Sequence, residues 1–203
     1  MRLKPVLALP LLTVGLLLAG ALVESCRRPA FLGGQPEGPK SALCEGKYAL
    51  CAAAACTPIP ALDAKTGKIV VNRALCECQV ANGASLGDLA CAARAPQGDG
   101  RFLVSTYSFG ETATHPAMTC PSGTSWAYCY DQPCVVDPKD TSKAQCTCQV
   151  RTSGEYVTLG GNCDKTKCSA TLWAAATPDG LKGVGELLAS GEGLKSAPAN
   201  SCP

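Results

Sequence analysis

The sequence predicts a small disulfide-rich fold, mainly β with irregular loops, built as two tandem six-Cys repeats. Three observations predict it: 15 cysteines in 203 residues, two cysteine sets that share spacings, and 21 Gly with 15 Pro against only 5% aromatic residues. So many turn formers break up long regular elements. Few large side chains are left to fill a core, so cross-links have to supply stability, at about 2 to 4 kcal/mol each.

The first set is Cys44, Cys51, Cys56, Cys76, Cys78 and Cys91; the second is Cys120, Cys129, Cys134, Cys146, Cys148 and Cys163. Intervening lengths run 6, 4, 19, 1 and 12 in one and 8, 4, 11, 1 and 14 in the other. The 4 and the 1 hold while the rest drift, as when loops change length around a fixed frame. Cys76-Glu77-Cys78-Gln79-Val80 also matches Cys146-Thr147-Cys148-Gln149-Val150 at all but one position, and Tyr48 aligns with Trp126 three residues before a Cys. Self-similarity of this kind reads as a duplicated unit. The chain then divides into 1–25 as a signal peptide and 26–43 as a linker. Repeat 1 follows at 44–109, an inter-repeat linker at 110–119, repeat 2 at 120–178, and a tail at 179–203.

Within each unit, short strands and turns are expected. Ile69-Val70-Val71 leads into the first Cys-x-Cys, and Asn82-Gly83 after it is a strong hairpin signal. Thr152-Ser153-Gly154 stands at the corresponding place in the second unit, before the β-branched and aromatic run Tyr156 to Leu159. Asp63 to Gly67 and Asp137 to Asp140 supply matching turns. Phe102 to Phe109 and Thr171 to Ala176 are apolar segments placed to close each repeat. Ala49 to Cys56 is Ala-rich and reads as a helical turn or two. The two members of a Cys-x-Cys on a strand sit on one face, about 6.6 Å apart, so each is expected to bond a different facing Cys. Six Cys allow 15 pairings, and spacing does not choose among them. Cys168 and Cys202, outside the repeats, are expected to pair with each other.

The N-terminus sets the compartment. Arg2 and Lys4 precede an apolar run from Val6 to Val23, the layout of a secretory signal; at about 18 residues it also reaches the lower edge of an uncleaved anchor. Ala19-Gly20-Ala21 fits ordinary signal cleavage. Val23-Glu24-Ser25-Cys26 resembles the lipobox of bacterial lipoprotein precursors, with Glu24 standing where that motif prefers a small uncharged residue. The resemblance covers about the first 26 residues and implies a lipid on Cys26. Parity points the same way: acylation of Cys26 leaves 14 cysteines, all able to pair, whereas cleavage after Ala21 leaves an odd thiol. Arg27 and Arg28 occupy the place where an acidic residue retains lipoproteins at the inner membrane of Gram-negative bacteria. By that resemblance the outer membrane or cell surface is the expected destination.

Composition excludes more than it assigns. Without residues 1–25 the chain carries 16 basic against 15 acidic groups, so it has no surplus to neutralise phosphates, and nucleic acid is not an expected partner. No C-x2-C occurs and His115 is the sole histidine, so neither a zinc site nor a thioredoxin-type motif is predicted, and no cofactor or metal is expected. A nucleophile activated by a base would have to use His115, which lies in the Pro-containing stretch between the repeats and reads as an exposed linker residue. No catalytic residue is assigned. Trp126, Tyr128 and Tyr130 alternate across Cys129 and on a strand share one face, either as core or as a platform for a sugar or a protein partner. Tyr48 holds the position of Trp126 in the first set, which favours core for Trp126, whereas Ala52 stands opposite Tyr130, which favours exposure there. The leading reading is an extracytoplasmic, lipid-anchored binding or structural module. An envelope- or carbohydrate-binding accessory protein using the aromatic strip is the alternative, as is an enzyme with a site between the repeats.

Overall fold

The computed structural model describes residues 42–108, 115–183 and 201–203. The signal segment, Cys26, nearly all of the first linker and most of the tail lie outside them. The chain is mainly β, as its composition predicts. Its strands are β1 (Ala42–Leu50), β2 (Ala55–Leu62), β3 (Ile69–Gly87), β4 (Phe102–Thr106), β5 (Met118–Cys120), β6 (Trp126–Tyr128), β7 (Pro133–Val136), β8 (Lys143–Arg151), β9 (Tyr156–Thr158) and β10 (Leu172–Trp173). Two single helical turns, α1 (Cys91–Arg94) and α2 (Lys167–Ala170), each carry a cysteine.

An antiparallel pair, β3 and β8, runs through the middle, with Cys76 opposite Cys146, Ala74 opposite Cys148 and Cys78 opposite Ala144. On its other edge β3 carries β2 and then β1; β8 likewise carries β7 and then β6. The registers correspond. Ala49 faces Val80 as Ala127 faces Val150, and Cys56 faces Cys76 as Cys134 faces Cys146. The two apolar closing segments are strands, and they do not close their own halves alone. β4 runs parallel to β1 but also pairs with β7, through Leu103 and Cys134. β10 pairs with β2 through Leu172 and Cys56, while Ala174 just beyond it bridges to Ala127 of β6. Each half thus lends a strand to the hairpin of the other.

Seven disulfides hold this frame. Cys51–Cys78, Cys56–Cys76, Cys129–Cys148 and Cys134–Cys146 form the centre, so each Cys-x-Cys bonds two different flanking segments. They pack with Ala49, Ala54, Ala74, Ala127, Ala144 and Ala174 into one buried cluster, where the Cys76 and Cys129 sulfurs lie 3.4 Å apart across the halves. Disulfides and alanines are short, and strands bearing them approach closely without leaving voids. The remaining bonds are Cys44–Cys91, Cys120–Cys168 and Cys163–Cys202.

Several local expectations are corrected. Cys168 does not pair with Cys202; it takes the role that Cys91 plays in the first half, on a matching helical turn, and leaves Cys163 to hold the tail. The Ala-rich stretch from Ala49 to Cys56 is strand, turn and strand, because its two cysteines are bonded to β3 and its alanines fill the core between strands. Asn82-Gly83 makes no hairpin. It lies inside β3, where Gly83 (φ 133°) faces Gly46 (φ 138°), a conformation that side chains with a Cβ rarely adopt. Finally, the inter-repeat linker at 110–119 ends in strand: Met118 is fully buried and pairs with Thr158.

Candidate functional site

The chain is poor in aromatics, yet five of the rings among the described residues stand in one row. Tyr107 stacks on Tyr130 at 5.2 Å, Tyr130 tilts against Tyr128 at 6.2 Å, Tyr128 meets Trp126 edge-on at 6.2 Å, and Trp126 stacks on Tyr156 at 5.7 Å. The Arg151 guanidinium lies 3.7 Å from the Tyr128 ring centre and 5.3 Å from that of Trp126, a cation–π arrangement that fixes it in place.

The Tyr107–Tyr130–Tyr128 end of the row forms one wall of a half-enclosed cavity of about 390 Å³, within the usual size range of small-molecule sites. Tyr107, Tyr128 and Tyr130 line it together with Leu86, Asp88 and Arg151. Four regions meet there: the end of β3 with Asp88, the residue after β4, the β6–β8 pair with the turn after β6, and the segment after β10 through Ala176, Thr177, Gly180 and Gly183.

The predicted aromatic strip is therefore split. Trp126 is core at 1% exposure, as the alignment with Tyr48 favours. Tyr130 is buried at 8% rather than exposed, because β6 ends at Tyr128 and the following turn folds the ring onto Tyr107. Tyr128 is the half-exposed member. The platform becomes the side of a hollow.

Electrostatics define what the site can do. Burial raises the Tyr107 hydroxyl well above its ordinary value, and this hydroxyl donates to the Ala175 carbonyl at 2.7 Å. Burial also raises Tyr128, against the lowering effect of Arg151. Both phenols stay protonated, which suits hydrogen bonding and not base catalysis. Beside them Asp131, at φ 54°, accepts the backbone N–H groups of Asp88 (2.6 Å) and Leu89 (3.0 Å) on one oxygen, while the other is buried without a partner. Burial raises its pKa, and those two N–H groups oppose the shift. This clamp ties the turn after β6 to the chain leaving β3, and so fixes the rim at Asp88.

His115 is exposed and is not among the residues lining the cavity. Two groups of three cysteines converge, Cys51 with Cys78 and Cys146, and Cys56 with Cys76 and Cys129. Every one of them is in a disulfide, whose sulfurs lack the thiolate charge a metal needs. A second depression of about 480 Å³, over β4 and β7, is lined by Phe102, Val135, Gln145 and neighbours and has no charged side chain.

Leu86, Asp88, Tyr107 and Arg151 escaped the sequence reading. A signal existed in the aligned sets: Tyr128, Tyr130 and Arg151 stand where the first set has Leu50, Ala52 and Ala81. Comparison of the chain with protein-family models, curated proteins and solved structures finds no match.

Proposed function

We propose that the chain is an exported, lipid-anchored binding module, formed by duplication of one stapled unit, with its site in the aromatic cavity. The observation that carries this reading is the cavity's preorganisation. Stacked rings, a guanidinium held on two rings and a clamped rim residue sit in a frame cross-linked seven times. A site fixed before its ligand arrives loses little entropy on binding. The disulfides fit an oxidising, extracytoplasmic compartment. Fourteen cysteines consumed in pairs leave Cys26 as the odd one, which is the parity a lipid on Cys26 would resolve.

Matching registers and disulfide connections in the two halves support duplication of a unit. The binding reading, in place of an enzymatic one, rests on the site's neutral phenols and on a lining that does not include His115. Mass spectrometry of the mature protein from membrane fractions tests the anchor. The expected N-terminus is a diacylated or triacylated Cys26 with no alkylatable thiol elsewhere. A chain starting at Leu22 with a reactive Cys26 would remove the anchor from the proposal, and a free thiol at any other cysteine would remove the cage.

A further inference from the structure

We propose that the hairpin arm made by the outer ends of β2 and β3 docks on an anionic phospholipid surface. Pro60, Leu62, Ile69 and Val71 enter the headgroup layer, and Lys65 and Lys68 meet lipid phosphates. The inference goes beyond the cavity reading and depends neither on the cavity nor on a lipid at Cys26.

The arm is an addition to the frame. The gap between Cys56 and Cys76 is 19 residues against 11 between Cys134 and Cys146, and the Cys56–Cys76 disulfide fixes the arm at its root. Beyond that root Pro60 pairs with Val71 and Leu62 with Ile69, two positions further along each strand, so the four side chains share one face. Among the described residues Leu62 and Ile69 are the most exposed of the large apolar side chains. No charged residue stands between Thr57 and Leu62 or between Ile69 and Val71. Charge is confined to the turn. There the Asp63 carboxylate is taken up by the N–H groups of Lys65 and Thr66 and by the Thr66 hydroxyl, while Lys65 and Lys68 are exposed.

Two features favour lipid over protein as the occupant. Pro58 and Pro60 remove ladder donors from the outer edge of β2, so a strand of another chain cannot add there. Ile59 and Ala61 are exposed as well, off the shared face, so the arm is apolar around its strands and not on one flat side. A fluid layer wraps such an arm, whereas a rigid partner covers one face of it. Apolar side chains flanked by lysines match the interfacial region of a bilayer, apolar below and anionic above. The four side chains carry about as many carbons as one myristoyl chain, which binds bilayers with a constant of about 10⁴ M⁻¹. Side chains that enter the headgroup layer leave water only in part, so half-binding is expected at on the order of 1 mM lipid.

The oxidised mature chain with Cys26→Ser, which carries no acyl group, is sedimented with vesicles of equal parts phosphatidylethanolamine and phosphatidylglycerol. A parallel series uses phosphatidylcholine alone. Half of the protein should pellet near about 1 mM anionic lipid, and phosphatidylcholine should bind about fivefold more weakly. Leu62→Ser with Ile69→Ser should weaken binding about tenfold or more at unchanged melting temperature, because both side chains stand in water in the free protein. Lys65→Gln with Lys68→Gln should abolish the preference for anionic vesicles. No pelleting up to about 10 mM lipid overturns the proposal. So does pelleting that the double serine variant retains, and so does equal binding to the two kinds of vesicle. A concentration-dependent dimer that the double serine variant abolishes, without vesicle binding, would assign the face to a second copy of the chain and overturn it too.

Discussion

The two halves of the molecule run the same strand ladder and use it for different ends. In each, a first strand ends immediately before a cysteine, and a hairpin brings two further cysteines opposite one another. A lent strand then closes the hairpin of the other half, Leu103 against Cys134 and Leu172 against Cys56. Where the halves agree most closely, most of the residues are the Cys and Ala of the central buried cluster, with Gln79 and Val80 matched by Gln149 and Val150 beside it. Where they differ, the second half is larger and more polar: Tyr128, Tyr130 and Arg151 against Leu50, Ala52 and Ala81. The cavity follows from that difference. These positions lie outside the central cysteine–alanine cluster, where a change of side chain does not disturb the packed disulfides, so the second half can carry larger residues there.

Reciprocal lending of strands makes the halves interdependent, and the largest expected effect follows from it. Produced separately, residues 42–108 and 115–203 should each fail to fold. Each would lose the β3–β8 pairing and expose a hairpin whose outer edge lacks its closing strand. Each would also be a domain small enough to have only a marginal core. Dispersed proton NMR spectra with native disulfides, obtained from either half alone, would break this view. Random-coil spectra and scrambled disulfides are the expected result.

A smaller effect should come from a place where the closing strands themselves differ. By register Trp173 of β10 stands where β4 has Val104. Room for the larger ring comes from Gly160, where an added Cβ would sit 2.5 Å from Trp173 Cζ3. The backbone there is ordinary, so the glycine serves close approach and not a special turn. Gly160→Ala should therefore destabilise by about 1 to 3 kcal/mol through overpacking. Most of that cost should vanish in a Trp173→Val background, which restores the side chain of the other half. Thermal or denaturant unfolding of the four variants in the cycle measures the coupling, and additive effects would show that ring and glycine do not share the space.

Much of the frame was legible in the sequence because short cysteine spacings report local geometry. A gap of one on a strand puts both sulfurs on one face, and the gap of four is the turn from β1 to β2 and its counterpart from β6 to β7. Longer spacings failed. Cys163 follows Cys148 at nearly the distance that separates Cys91 from Cys78, yet the partner of Cys120 is Cys168, because the chain first makes the extra turn at residues 160–164. The site was half legible. Tyr128 and Tyr130 announce themselves by alternation, but Asp88, Tyr107 and Arg151 reach them only through pairings of long sequence separation, which no local pattern encodes. Ala49 to Cys56 misled for a related reason: alanine favours a helix in isolation, and here the packing of strands across disulfides overrides that preference.

The smallest expected effect belongs to the hairpins. The loop between Cys56 and Cys76 is eight residues longer than the one between Cys134 and Cys146, and the extra length projects as the outer part of β2 and β3. There Leu62 and Ile69 face each other at 71% and 76% exposure, beside a turn in which the Asp63 carboxylate accepts the N–H groups of Lys65 and Thr66. Exposed side chains contribute little on folding, since they remain in water in both states. Pro58 and Pro60 already deny the outer edge of β2 two ladder donors, so pairing with another chain is discouraged without help from those side chains. Leu62→Ser with Ile69→Ser should then change unfolding free energy by no more than about 0.5 kcal/mol. The matched test in the second half is Val136→Ser on β7, a partly buried residue packed against the central cluster, which should cost about 1 kcal/mol or more. Equal losses at the two sites would mean that the long hairpin is held down by contacts as firm as those of the short one, and the contrast between the halves would be confined to the cavity.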